Sequence, residues 1–152
     1  MKDLPDMKVE VTIEVKVPGD WLSFCTQGSD LLSTSYSGYW ARGVERDDKL
    51  GWLLWEFEED ERLSNALEAN NAQFLENLPI DAEDKLHTKA LKAWRAGKKL
   101  PPHYHRLNQE AAVKGYLAMS KRNGLNWYEK TGDSLTYDAA IQLGTLDEVK
   151  YG

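Results

Sequence analysis

Hydrophobic and polar residues alternate most regularly near the start of the chain. Five apolar side chains alternate with polar ones in this segment: Val9, Val11, Ile13, Val15 and Val17. Alternation with a period of two is typical of a β-strand that buries one face. We therefore predict a strand over Lys8–Val17 that ends at Pro18-Gly19. Asp20 is then placed to cap a short helix that ends near Gly28, and 29–38 is predicted to be a loop.

Two more apolar runs predict a β-hairpin. The runs are Tyr39–Arg46 and Gly51–Glu58, and turn-forming residues lie between them. Leu53, Trp55 and Phe57 share one face of the second strand, which predicts that Trp55 is buried. Trp52 falls on the other face, where it is either an exposed anchor for a partner or covered by helices.

The second half of the chain has helical periodicity. The segment over Asp81–Ala96 is strongly amphipathic, and Asn108 begins a helix that Asn123-Gly124 ends. Its predicted buried face contains Ala112, Val113, Tyr116, Leu117 and Met119. Further segments are predicted as a helix over Arg62–Leu78, a helix over Tyr137–Leu143 ending at Gly144, and a small strand over Glu148–Tyr151. These elements predict a single α+β domain over 1–152, with a small, mainly antiparallel sheet packed against several helices.

The charge is distributed very unevenly. The net charge is −6, yet residues 85–122 contain ten basic residues and one acid, so this segment carries +9 and the rest carries −15. No apolar run is long enough to cross a bilayer. Cys25 is the single cysteine, which excludes an internal disulfide and favours a cytoplasmic location without membrane contact.

Candidate catalytic chemistry is sparse. His103 and His105 follow Pro101-Pro102, where we expect a loop with solvated histidines and no metal partners. Cys25 lies among apolar residues and is expected to be a small buried hydrophobe. No nucleophile elbow, phosphate-binding loop or dinucleotide motif occurs. We therefore predict no catalytic residues, no metal and no cofactor, and a binding protein in preference to an enzyme.

Two charged sets are candidate binding surfaces. The acidic set is either a solvated strand edge or a protein interface anchored by the tryptophan: Trp52, Asp47, Asp48, Glu56, Glu58, Glu59, Asp60 and Glu61. The basic set, with Trp94 and Tyr104 interleaved, is either a solvated helix face or a surface for nucleic acid: Lys85, Lys89, Lys92, Arg95, Lys98, Lys99 and Arg106.

Segments near both ends of the chain resemble segments of other proteins. These segments are Tyr137–Leu143 with Glu148–Gly152, the valine-rich opening strand and Gly38-Tyr39-Trp40. With these the chain resembles small bacteriophage and prophage proteins of unassigned function. In those proteins the helix commonly runs into Phe-Gly-Glu, whereas 145–148 here reads Thr-Leu-Asp-Glu. The resemblance implies a viral accessory protein and transfers no catalytic residue.

Together these features predict a non-enzymatic accessory protein that binds a protein in the cytoplasm of a bacterial host, for example as an inhibitor. The predicted interface is the acidic set. The alternative is a protein that binds nucleic acid or another anionic ligand through the basic set. The sequence leaves the partner's identity and the oligomeric state open.

Overall fold

The computed structural model describes residues 4–10, 12–28, 40–61, 85–131 and 133–152. Within these ranges it contains five helices and three strands. In chain order they are α1 (Gly19–Gln27), β1 (Ala41–Asp47), β2 (Gly51–Glu56), α2 (Lys85–Arg95), β3 (Tyr104–Leu107), α3 (Gln109–Asn123), α4 (Trp127–Thr131) and α5 (Ser134–Thr145). The predicted α+β class with an antiparallel sheet is confirmed.

The sheet has the order β1-β2-β3, and both pairings are antiparallel. The predicted hairpin is confirmed as β1 and β2, with Ala41 opposite Glu56 and Asp47 opposite Gly51. Its turn is held by the Asp47 carboxylate, which accepts hydrogen bonds from the backbone N–H groups of Lys49 and Leu50 at 2.8 and 3.0 Å. Local bonds of this kind explain why aspartate favours turns.

Both faces of the sheet are covered. Leu54 and the half-buried Trp52 pack into a cluster with α1, α3 and α5, whereas Leu53 and Trp55 pack with Trp94 of α2 on the opposite face. Trp55 is buried, as predicted. Trp52 is therefore covered by helices on the second face and does not stand out as an exposed anchor.

Helices α3 and α5 are in close contact at two glycines. A Cβ atom on Gly115 would lie 2.1 Å from the Ala140 carbonyl oxygen, and one on Gly144 would lie 2.2 Å from the Ala111 carbonyl oxygen. The predicted end of the last helix at Gly144 is therefore wrong. Gly144 lies inside α5, at a point where only a residue without a side chain allows this approach. The helix also begins earlier, where the Asp133 side chain accepts from Thr136 N.

Helix α3 has the predicted limits. Asn108 caps it by accepting a hydrogen bond from Ala111 N at 2.9 Å, and Gly124 ends it with a φ of 97°. Leu117 was predicted to be buried, but it is 38% exposed. The buried face is rotated toward Gly115 and Tyr116, because the close contact with α5 runs along that side. The short helix α4 was not predicted.

The predicted strand over Lys8–Val17 is wrong for its described residues. No strand includes them, and Val9 and Ile13 are 72% and 63% exposed. Alternation shows which side chains share a face, but a strand also needs a partner. The residues 148–151 likewise form no strand. The predicted helix over Arg62–Leu78, the loop over 29–38 and the positions 81–84 lie outside the described residues.

None of the helices in the described ranges is both long enough and apolar enough to cross a membrane.

Candidate functional site

Glu56, the last residue of β2, is the centre of a polar cluster. It is 3% exposed. Its Oε1 atom lies 2.8 Å from His105 Nε2, and its Oε2 atom lies 3.0 Å from Lys150 Nζ. Oε2 also accepts a hydrogen bond from the Tyr151 hydroxyl. Three donors surround this carboxylate, so its buried negative charge is compensated by hydrogen bonds.

Strand β3 brings His105 to this cluster. It pairs with β2 so that Leu54 lies opposite His105, and Glu56 N donates to the His103 carbonyl at 2.7 Å. The expectation of a solvated histidine in a loop is therefore wrong for His105. Four residues form β3, and so short a run shows no alternation that a sequence pattern can detect.

Gln142 of α5 holds the C-terminal residues against the sheet. Its Oε1 atom accepts from the backbone N–H groups of Lys150 and Tyr151 at 2.9 and 2.8 Å, and its Nε2 atom donates to Asp138 at 2.8 Å. Trp40 stacks on Tyr151 with 5.4 Å between ring centroids, and its Nε1 atom donates to Asp138 at 2.9 Å. The residue before β1 and the C-terminal residues therefore meet at one place.

The ionisation of the cluster follows from these contacts. Burial alone would raise the pKa of Glu56, but hydrogen bonds from Tyr151, His105 and Lys150 outweigh it and lower that pKa. Burial lowers the pKa of His105 despite the neighbouring carboxylate, so the neutral ring donates through Nε2. Burial and the bond to Glu56 raise the pKa of Tyr151. The cluster therefore contains an ionised Glu56 and a neutral His105 at neutral pH.

This arrangement is a structural clamp. A general base needs an oxygen that can reach a substrate proton. Both oxygens of Glu56 are buried and already accept hydrogen bonds. Cys25 is buried as predicted, and burial raises the pKa of its thiol, which disfavours the reactive thiolate. No group of three His, Cys, Asp or Glu side chains in the described part of the chain is arranged to hold a metal ion.

The acidic set does not form one exposed surface. Glu56 and Asp60 are buried, the latter accepting a hydrogen bond from Trp55 Nε1 at 2.6 Å, so the prediction that they face solvent or a partner is wrong. Glu59 forms an ion pair with Lys150 at 2.8 Å. The remaining acids, which are all exposed, lie in the turn or follow β2: Asp47, Asp48, Glu58 and Glu61.

The basic set is more coherent. Helix α2 buries Ala90 and Trp94 against the sheet, so Lys85, Lys89 and Lys92 are exposed on its opposite side, as predicted. Two members of the set have other roles. Arg95 lies 3.5 Å from Glu45 in an exposed ion pair. Arg106 donates to the carbonyl oxygens of Ala93 and Lys98 at 3.1 and 2.6 Å.

Four lysines line one concave surface formed by the second half of α2 and the residues that follow it. We call it the basic groove, and its lining is Lys89, Lys92, Lys98 and Lys99 with Ala93 and Ala96. The groove has a volume of about 510 Å³. None of the four ammonium groups forms an ion pair with a carboxylate in the described ranges.

Two carbonyl groups at the end of α2 already accept hydrogen bonds. Free carbonyl groups at a helix C-terminus carry a partial negative charge. Here Gly97, with a φ of 67°, donates to the Trp94 carbonyl, and Lys98 N donates to the Ala93 carbonyl at 2.9 Å. This pair of bonds is a Schellman motif. Because Arg106 also donates to the carbonyl oxygens of Ala93 and Lys98, these two carbonyl groups beside the groove are occupied.

Trp94 and Tyr104 do not belong to the groove surface. They are 1% and 4% exposed and pack in the cluster between α2 and the sheet. The prediction that these aromatic rings are interleaved with the lysines as part of a binding surface is therefore wrong. The described lining of the groove consists of ammonium groups and short apolar side chains and includes no ring on which a base can stack.

The chain matches no protein-family model, no curated protein and no solved structure. The resemblance at its two ends stays a prediction.

Proposed function

We propose that this domain is a non-enzymatic protein that binds the phosphate backbone of nucleic acid through the basic groove. The observation that carries the proposal is the convergence of four lysines on one groove without a carboxylate partner among the described residues. Ammonium groups that repel one another in a concavity are favoured when a polyanion neutralises them.

The geometry suits several consecutive phosphates. Lys85, Lys89 and Lys92 are separated by four and three residues, so they follow one side of α2 over about 10 Å at 1.5 Å per residue. Lys98 and Lys99 continue the charge beyond the helix end. Since no aromatic ring is among the described residues that line the groove, we expect recognition of phosphates without a preference for base sequence.

The net charge of −6 opposes tight binding, because the rest of the molecule repels a polyanion. We therefore expect binding that is clear at low salt and weak at physiological salt. If Lys85 and the four groove lysines each neutralise one phosphate of a single strand, the slope of log K against log salt concentration is about −3 to −4.

Binding of a host protein to the acidic set, which the sequence alone favours, becomes our second proposal. Without Glu56 and Asp60, its remaining residues are Asp47, Asp48, Glu58, Glu59 and Glu61, and Glu59 already has Lys150 as partner. Substitution of Glu58 and Glu61 would lower the affinity for such a protein partner, whereas the affinity for nucleic acid would stay unchanged or increase.

Fluorescence anisotropy with a labelled random-sequence single strand tests the proposal. The variant Lys89→Gln/Lys92→Gln/Lys99→Gln removes three groove charges. Its matched control, Lys121→Gln/Arg122→Gln/Lys130→Gln, removes three exposed charges elsewhere, including two in the last turn of α3. We expect the groove variant to lose about tenfold or more in affinity at low salt and the control to lose less than about threefold. Equal losses in the two variants, or no binding by the unaltered protein, would contradict the proposal.

A further inference from the structure

The segment before α1 has the sequence of a strand, but no strand in the described part of the chain pairs with it. Its described residues, 4–10 and 12–18, lie outside every helix and strand. None of residues 4–10 and 12–17 forms a backbone hydrogen bond with another described element. A row of free N–H and C=O groups is a template for pairing with another chain.

The same segment exposes apolar side chains. Leu4, Met7, Val9 and Ile13 are among the most exposed large hydrophobic residues of the described chain. Val15 differs from them because it packs against the main core cluster. The segment is therefore fixed to the domain at its end and open to a partner along the rest of its length.

The sequence of this segment is complementary to itself. Consider two copies that pair antiparallel so that the numbers of facing residues add to about 22. In this register apolar residues face apolar residues and acids face bases: Met7 faces Val15, Val9 faces Ile13, Asp6 faces Lys16 and Lys8 faces Glu14. Two-fold symmetry repeats each pair, so one ribbon contains four ion pairs.

The neighbouring registers are poorer. A shift by two residues toward the helix makes Lys8 face Lys16 and Glu10 face Glu14, which places like charges opposite each other. A shift by one residue makes apolar residues face charged ones. A shift by four residues leaves two symmetry-related ion pairs, Glu10 with Lys16, in place of four, and it places Lys8 opposite Pro18.

An apolar surface is available to support such a ribbon. Ile13 and Val15 line a groove of about 350 Å³ with Leu117 and Leu125. Leu117 and Leu125 are 38% and 53% exposed. A two-stranded ribbon alone is marginally stable in water, so it needs an apolar surface to pack on.

We propose that two copies of this chain associate by antiparallel pairing of the segment 5–17, in the register that places Lys8 opposite Glu14. The ribbon covers the exposed valine, isoleucine and methionine side chains and supplies backbone hydrogen bonds that the segment does not form with the described part of its own chain. This dimer is independent of the basic groove, because the groove lies on α2 and the chain that follows it.

Sedimentation equilibrium with charge-swap variants tests the register. We expect the unaltered protein to form a species of twice the 17.3 kDa chain mass. Lys8→Glu alone and Glu14→Lys alone place like charges opposite each other and should each weaken dimerisation about tenfold. The double variant Lys8→Glu/Glu14→Lys restores both pairs and should return to within about threefold of the original affinity.

Glu10→Lys is the matched control, because Glu10 faces Thr12 in this register and has no ion pair to lose. It should dimerise like the unaltered protein. A monomer at every concentration, a double variant as weak as the single ones, or a control as weak as Lys8→Glu would overturn the proposal.

Discussion

The Glu56 clamp leads to a prediction about stability. The change Glu56→Gln keeps the shape of the side chain and removes its charge. In the native protein the carboxylate is 3% exposed and accepts hydrogen bonds from His105, Lys150 and Tyr151. The amide of glutamine has one oxygen and presents an NH₂ group to the other donors. At least one donor therefore loses its acceptor.

The size of the effect follows from the exposure of the donors. The Lys150 side chain is 31% exposed and can turn to water or to Glu59, so its loss is small. His105 and Tyr151 are only half-buried, but they lose charge-assisted bonds to a buried oxygen. Such bonds contribute about 1.5–3 kcal/mol each, and the glutamine retains part of one. We expect a loss of about 2–3 kcal/mol.

Urea denaturation at neutral pH measures this loss. A destabilisation of this size lowers the melting temperature by roughly 4–12 °C for a domain of this length, and a domain of ordinary stability still folds. Glu58→Gln is the control, because it removes the same charge from an exposed position two residues away. We expect it to change stability by less than about 0.5 kcal/mol. Equal stability of the two variants would refute the clamp.

Three further predictions concern stability. Gly144→Ala should lower the free energy of unfolding by at least about 2 kcal/mol, because the added Cβ overpacks against the Ala111 carbonyl. Gly19→Ala is the control, since no atom lies near its added Cβ, and it should not be destabilised in this way. Thermal unfolding of the two variants measures the difference. Burial lowers the pKa of His105 in the folded state. Below about pH 6.5 the unfolded chain therefore binds a proton that the folded chain does not bind, and the free energy of unfolding decreases as the pH decreases. His105→Gln should reduce that slope in urea titrations between neutral and mildly acidic pH, and an unchanged slope would contradict the assignment. Asn108→Ala should cost about 1 kcal/mol through the lost cap of α3, measured by urea denaturation, and no change would show that the cap contributes nothing.

Patterns within short stretches of sequence predicted the helices and strands whose formation depends on neighbouring residues. The hairpin was predictable because turn-forming residues separate two apolar runs, and α2 because its lysines and apolar residues fall on opposite sides of a helix. The basic set was also predictable as a helix face. The concave shape of this set was not predictable, because the groove depends on the turn at Gly97 and on the bonds of Arg106 to Ala93 and Lys98.

The wrong predictions concern residues whose environment is set by contacts with distant parts of the chain. Glu56 was predicted as part of an exposed acidic set, yet its partners His105 and Lys150 are 49 and 94 residues away along the chain. Gly144 is equally consistent in sequence with a helix end and with a close helix contact, and only the approach of Ala111 distinguishes them. The alternation around Ile13 indicates a strand, but no local pattern shows whether a partner strand exists.

The most direct test of the proposed function is a titration of the ¹⁵N-labelled protein with a random-sequence single strand, followed by amide chemical shifts. We predict that the largest changes lie at Lys89, Lys92 and 96–99 around the basic groove, and that they shrink as salt increases. Amides at Glu58 and Glu61 should hardly change. Changes centred on those two residues, or no changes at low salt, would contradict the account.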